Sequence, residues 1–258
     1  MKVAVLQYPI VWEDKTTNLS STLQRLATLA GKADVALLPE MFTTGFCTDK
    51  PELAEPVDGE TITALQHYAD ESGVAVAGSF ICKDEKGLYN RGFFLAPHEK
   101  PIFIDKAHLY QHSHEDEFFI AGNSREVIEY KGVRFRLIIC YDLRFPVWAR
   151  NKSGWDYDIL LVSANWPECR IQYWDALVAA RATENQCYVC AANPVGEDGM
   201  GMHYNGHSVA YDTRLRPLIH FNDDEEGIQI ADFDIDCLHH FREALPLWKD
   251  ADSFTIHR

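Results

Sequence analysis

Long apolar runs are missing from this chain: none approaches the roughly 18 residues that a membrane-spanning helix needs. Positive charge is scarce too, with 24 Lys and Arg against 39 Asp and Glu, a formal charge of -15 with histidines neutral. With no basic stripe to displace counterions from a phosphate backbone, no nucleic-acid partner is expected. Met1–Pro9 has only Lys2 ahead of its apolar residues and meets Glu13 and Asp14 before any small-residue cleavage pattern, so no secretory signal is expected. Cysteine does not come in the even number of a disulfide framework: there are 7, Cys47, Cys82, Cys140, Cys169, Cys187, Cys190 and Cys237. Reduced thiols in a cytoplasm are the expectation. A Pro/Gly/Ser-rich linker and a fixed-period repeat are both absent.

What is present fits one globular unit, residues 1–258, with 47% apolar and 24% charged residues. A chain of this length buries a full core without disulfides or metal. Strand-like and helix-like segments alternate. Lys2–Tyr8, Val35–Pro39, Val74–Phe80, Tyr89–Leu95, Ile102–Ile104, Val133–Cys140, Ile159–Ser163, Cys187–Ala192, His207–Tyr211 and Gly227–Asp234 read as strands. Thr16–Ala30, with Leu19, Leu23, Leu26 and Leu29 on one face, reads as a helix. So do Asp58–Ser72, stopped by Gly73, Ile171–Asn185, and a short segment after Ile235. The Asp223–Glu226 run reads as a solvated turn. Several strands are separated by too few residues for a helix, so an α/β fold with mixed sheets is predicted.

Three residues stand where chemistry is possible. Cys140 ends an apolar strand just before Phe145-Pro146, which opens a short helix, so its thiol sits at a strand-to-helix turn near unpaired backbone N–H groups. Glu40 ends VALLPE after another apolar strand, where a carboxylate facing a cleft can act as a general base. Lys106 follows PIFID, where its ammonium can hold an oxyanion. Taken singly, each has an ordinary reading as core thiol, loop acid or surface lysine.

Together they carry more. LPEMFTTGF (38–46), DKAHLY (105–110) and ICYDLRFPVWARN (139–151) resemble the three motifs of the nitrilase, or carbon–nitrogen hydrolase, superfamily. The spacings, 66 residues from Glu40 to Lys106 and 34 from Lys106 to Cys140, agree with it, and ANWP, RATENQ and NPVG extend the likeness along the chain. MFTTGF and CYDLRFPVWARN look most like the bacterial omega-amidase branch. The resemblance implies a four-layer α-β-β-α sandwich with two mixed central sheets, and a catalytic Glu40, Lys106 and Cys140. It also implies a second glutamate after the lysine, Glu115 or its near neighbour Glu117, and a homo-oligomer, dimer or larger. It implies hydrolysis of the amide of small carboxylate-bearing compounds such as 2-oxoglutaramate, through a cysteine thioester and without metal or organic cofactor.

In that scheme Glu40 takes the thiol proton, Lys106 and the Tyr141 N–H hold the oxyanion, and Glu115 orients the lysine or the substrate. Arg144, four residues past the cysteine, is placed to grip a substrate carboxylate, or else pairs with Asp142 or a loop acid. Phe42 and Trp166 are candidate pocket walls or core residues. Other readings stay open: carbamoyl amino acids, nitriles or other amides as substrates, a catalytically idle module on the same fold, or a redox role for Cys187 and Cys190. His112 and His114 with the neighbouring acids belong to a solvated loop or, less simply, a metal site.

Overall fold

The computed structural model describes residues 1–151 and 155–257. The first half of the chain runs β1 (Lys2–Gln7), α1 (Lys15–Leu26), β2 (Val35–Leu37), α2 (Glu60–Ser72), β3 (Ala75–Lys83), β4 (Leu88–Leu95) and β5 (Ile102–Asp105). After α3 (Glu115–Phe118) come β6 (Ile128–Tyr130), β7 (Val133–Ile139), α4 (Pro146–Ala149), β8 (Ile159–Ser163), α5 (Ile171–Asn185) and β9 (Tyr188–Ala192). The hairpin β10 (Val195–Glu197) and β11 (His203–Asn205) follows, then β12 (Val209–Tyr211), β13 (Pro217–His220), β14 (Gly227–Asp232) and α6 (Ile235–Ala244).

Two six-stranded sheets result, ordered β14-β1-β2-β3-β4-β5 and β13-β12-β9-β8-β7-β6. Each has a parallel centre, β1-β2-β3 and β7-β8-β9, and antiparallel flanks. The parallel centres are covered on both faces, as parallel strands require. Alternate residues divide between the faces. Val3, Val5, Leu37 and Ala77 pack against Phe135, Leu137, Ile159 and Leu161 between the sheets. Ala4, Leu6, Ala36 and Val76 pack outward on Leu19 and Leu26 of α1 and Ile62 and Leu65 of α2. On the other sheet, Ile138, Leu160 and Val162 take Trp174, Val178 and Ala182 of α5. The layers are therefore α-β-β-α, as the resemblance implied.

Local chemistry explains the boundaries. Asp14 caps α1 by accepting from Thr17 N–H at 3.0 Å, worth about 1 kcal/mol. The predicted Thr16–Ala30 helix is shorter than expected, ending at Leu26 and tightening to a 3-10 turn over Ala27–Leu29. Gly73, at φ 71°, stops α2 in the left-handed region that glycine adopts without strain. β3 runs on to Lys83, past the predicted Phe80, because it pairs with β4 from Val76↔Leu95 to Lys83↔Leu88. The Asp223–Glu226 turn is exposed but tied down: Asp223 pairs with His207, Asp224 with His203 and Glu226 with Arg25, while Glu225 accepts from Asn222 N–H. Of the C-terminal aromatics, Phe254 is exposed and Phe241 and Trp248 are half-buried.

All seven cysteines are free thiols. Cys187 packs under α5 and Cys190 between the sheets, so the C-x-x-C pair faces opposite layers.

Candidate active site

The ends of β2 and β8 meet across the two sheets, where Ser163 Oγ donates to the Leu38 carbonyl at 2.9 Å. Glu40 therefore leaves the first sheet directly above the second. Its backbone N–H donates to Ala164 O at 3.2 Å, and Asn165 Nδ2 donates back to Glu40 O at 2.6 Å. The carboxylate is wholly buried. Oε1 accepts from Lys106 Nζ at 2.9 Å and Asn90 Nδ2 at 2.7 Å, while Oε2 accepts from Asn165 N–H at 2.9 Å.

Lys106 follows β5 and is as deeply buried, its ammonium 5.0 Å from the centre of the Phe46 ring. Besides Glu40 it donates to both oxygens of Glu115, at 3.0 and 2.9 Å. Glu115 opens α3, takes Tyr110 N–H at 2.6 Å and shares Asn90 Nδ2 with Glu40, at 3.2 Å. Glu117 lies on the surface against His114. Between the two glutamates left open above, Glu115 is the one in contact with the lysine, and the 110–119 segment is a folded turn and helix rather than a wholly solvated loop.

Cys140 follows β7 at the first position of a 3-10 helix, Cys140–Arg144. Its φ of 43° is in the left-handed region, which a non-glycine residue occupies at a cost of roughly 1–2 kcal/mol. Asp142 holds this turn: its carboxylate accepts from Ile139 N–H at 3.2 Å and His108 N–H at 2.9 Å, and lies 2.7 Å from His108 Nδ1. His108 stacks on Phe145 with ring centres 3.7 Å apart. The lysine segment is thus clipped to the cysteine turn.

Burial, then the charge of Glu40, raises the Cys140 thiol well above its ordinary value, and Lys106 offsets part of the rise. Glu40 is itself pushed up, first by burial and then by Glu115, against the pull of Lys106. Burial works against the Lys106 charge, but Glu115 and Glu40 outweigh it and hold the ammonium above its usual range. The site therefore pairs a neutral thiol with a carboxylate of raised proton affinity and a fixed cation.

These groups open into a cavity of about 540 Å³ whose wall includes Lys106, Cys140, Tyr141, Arg144, Trp166 and Arg170. Arg144 lies between the rings of Trp166 and Tyr173, at 4.9 and 5.0 Å, and among the described residues makes no ion pair. Asp142 is engaged by His108 instead. Phe42 is not a wall: the structure corrects that reading, because its side chain points into the layer under α1 and α2, edge-on to Phe93 at 6.1 Å. Phe46, four residues on, lines the cavity in its place.

The sequence profile of the carbon-nitrogen hydrolase family matches residues 2–243. The chain belongs to this family. It is 38% identical to the omega-amidase YafV of Escherichia coli K12 over 257 residues, 99% of this chain and 98% of that one. It is 33% identical to the 2-oxoglutaramate amidase of Bacillus subtilis over 252 residues, 96% of each. A CN-hydrolase superfamily protein of Xanthomonas campestris, solved with an arsenic adduct in its active site, superposes with a TM-score of 0.97 at 34% identity, covering 100% of this chain and 99% of that one. The chain is accordingly a carbon-nitrogen hydrolase acting on amides.

Asn90, Asn165, Phe46 and Arg170 were not singled out from the sequence. Asn90 sits mid-strand in β4 with no local signal, and only the pairing of β4 with β3 and β5 brings it to the two glutamates. Asn165 lies in the ANWP segment, and Asn193 of NPVG clasps that segment by accepting Trp166 N–H at 2.6 Å and donating to its carbonyl at 2.9 Å.

Proposed function

We propose that this hydrolase releases ammonia from the ω-amide of small 2-oxo acids, of which 2-oxoglutaramate is the type, through a thioester on Cys140. The observation that carries the substrate reading is Arg144, a guanidinium without an ion-pair partner among the described residues in the same cavity as the thiol. It can grip a carboxylate bidentately. The names of the omega-amidase and 2-oxoglutaramate amidase relatives support the same reading.

A free thiol near neutrality is mostly protonated, and this one more so, so attack needs a base. Glu40 takes the Cys140 proton as sulfur bonds to the amide carbon. Lys106 Nζ and the Tyr141 N–H hold the resulting oxyanion. As the carbon–nitrogen bond breaks, Glu40 returns its proton to the nitrogen and ammonia leaves. Glu40 then deprotonates water, which attacks the thioester, and collapse yields the carboxylic acid and the thiol. Glu115 and Asn90 hold Lys106 and Glu40 in place throughout. The raised proton affinity of Glu40 suits a group that must accept and return a proton.

The test is ammonia release from 2-oxoglutaramate, 2-oxosuccinamate, glutamine, asparagine, a carbamoyl amino acid and a nitrile, with wild type and Cys140→Ser side by side. Turnover should be greatest on the two oxo-acid amides, vanish in Cys140→Ser, and show a raised KM in Arg144→Met. Preference for the carbamoyl compound or the nitrile would overturn the substrate reading.

A further inference from the structure

We infer that Arg170 is a specificity-determining residue that makes the cavity accept 2-oxo acid amides and reject the matching 2-amino acid amides, an inference that rests on the substrate reading above. Arg170 closes the 3-10 turn Glu168–Arg170 that leads into α5. Its guanidinium lies over the Tyr110 ring at 5.3 Å, and its carbonyl accepts Trp166 Nε1–H at 2.8 Å, so both ends of the residue rest on cavity walls.

The guanidiniums of the cavity lack ion-pair partners: among the described residues Arg170, like Arg144, has no carboxylate partner. Glu168, the acid of its own turn, pairs with His203 at 3.1 Å. Asp198, which lines the cavity, is engaged: Oδ1 accepts from Met200 and Met202 N–H at 2.8 and 2.9 Å, and Oδ2 from Tyr204 Oη at 3.1 Å. Glu40 and Glu115 are held on Lys106. His112 adds an imidazole to the wall. The cavity thus offers two guanidiniums without an ion-pair partner among the described residues, and one carboxylate, Asp198, held by three neutral donors.

A 2-oxo acid amide places only acceptors at the end remote from its amide, two carboxylate oxygens and the neighbouring keto oxygen. Two guanidiniums, which are donors only, match that set. The corresponding amino acid amide replaces the keto oxygen with an ammonium. In this cavity that ammonium loses water and meets the like charge of two guanidiniums, while the carboxylate on the wall, Asp198, already accepts from Met200, Met202 and Tyr204.

The experiment compares kcat/KM for three amides of one chain length, 2-oxoglutaramate, glutaramate (which lacks a 2-substituent) and L-glutamine, on wild type, Arg170→Met and Arg170→Lys. In wild type the ammonium should cost glutamine about 100-fold relative to glutaramate. Arg170→Met should narrow that ratio at least ~10-fold, mainly through KM, and Arg170→Lys, which keeps the charge, should restore it. A ratio unmoved in Arg170→Met, or an equal loss on all three amides, would overturn the inference. A second arm measures binding of the products 2-oxoglutarate and L-glutamate to Cys140→Ser by calorimetry. Equal affinity for the two overturns the role of Arg170 whatever the amide panel shows. Tighter 2-oxoglutarate that equalises in Cys140→Ser carrying Arg170→Met supports that role even if another amide proves the better substrate.

Discussion

At the scale of single residues, Glu40 is the base of the proposed reaction, and its environment makes a pH prediction. Its folded-state proton affinity is raised by burial and by Glu115, so the carboxylate protonates at a pH above the ordinary value of about 4.3. Protonated, it cannot take the Cys140 proton. The acid limb of kcat/KM should therefore fall as pH drops through a value higher than that of an ordinary carboxylate. Glu40→Gln should lose the limb together with at least ~100-fold of the rate. A wild-type profile flat down to pH 4 would show that Glu40 does not serve as the base. The candidate residues Glu40, Lys106 and Cys140 were legible because each ends or follows an apolar run within a motif. Phe42 was not, since a residue's side of a turn depends on how the turn is packed. Met41, in the left-handed region at φ 44°, reorients the backbone just before it.

At the scale of elements, the turn that presents Cys140 is held by Asp142 rather than by its own helix. Asp142→Ala would remove the acceptor that Ile139 N–H and His108 N–H share, at about 1–3 kcal/mol for the buried Ile139 N–H. The expected outcome is a clear drop in thermal midpoint and a fall in kcat beyond ~10-fold, because Lys106 and Cys140 lose their common clip. Asp142→Asn, which keeps an acceptor, should fall between. Unfolding curves and turnover measured on the same samples decide it, and full activity in Asp142→Ala would refute the clip. Long strands and amphipathic helices were legible from periodicity: β8 and α5 agree residue for residue with the sequence reading. The strands β6, β10, β11 and β13, each of only three or four residues, were not. A run that short has almost no period to read, and its strand character comes from the neighbour it pairs with.

At the scale of the whole molecule, close packing leaves several thiols buried, and that links stability to alkaline pH. Burial raises Cys47 and Cys82 to about 11 and Cys187 to about 12, with Cys140 and Cys190 also raised. The folded state thus keeps protons that the unfolded chain gives up near pH 8.5. Their contribution is complete below that pH and is lost as pH climbs toward the folded values. The thermal midpoint should hold level from pH 7 to about 8.5 and then decline increasingly steeply, less so in Cys187→Ala. A midpoint unchanged to pH 11 would contradict this. The sequence by itself determined the α/β class, the order of the longer strands and helices, and the motifs that single out Glu40, Lys106 and Cys140 as candidates, since apolar periodicity and short motifs are local properties of a chain. Only the tertiary structure decided which glutamate meets Lys106, that Asn90 braces both carboxylates, that Phe46 rather than Phe42 forms the wall, and that Arg170 shares the cavity with Arg144. Those contacts join residues from different strands and loops, and pairwise distance across two stacked sheets is set by packing, which no local pattern encodes.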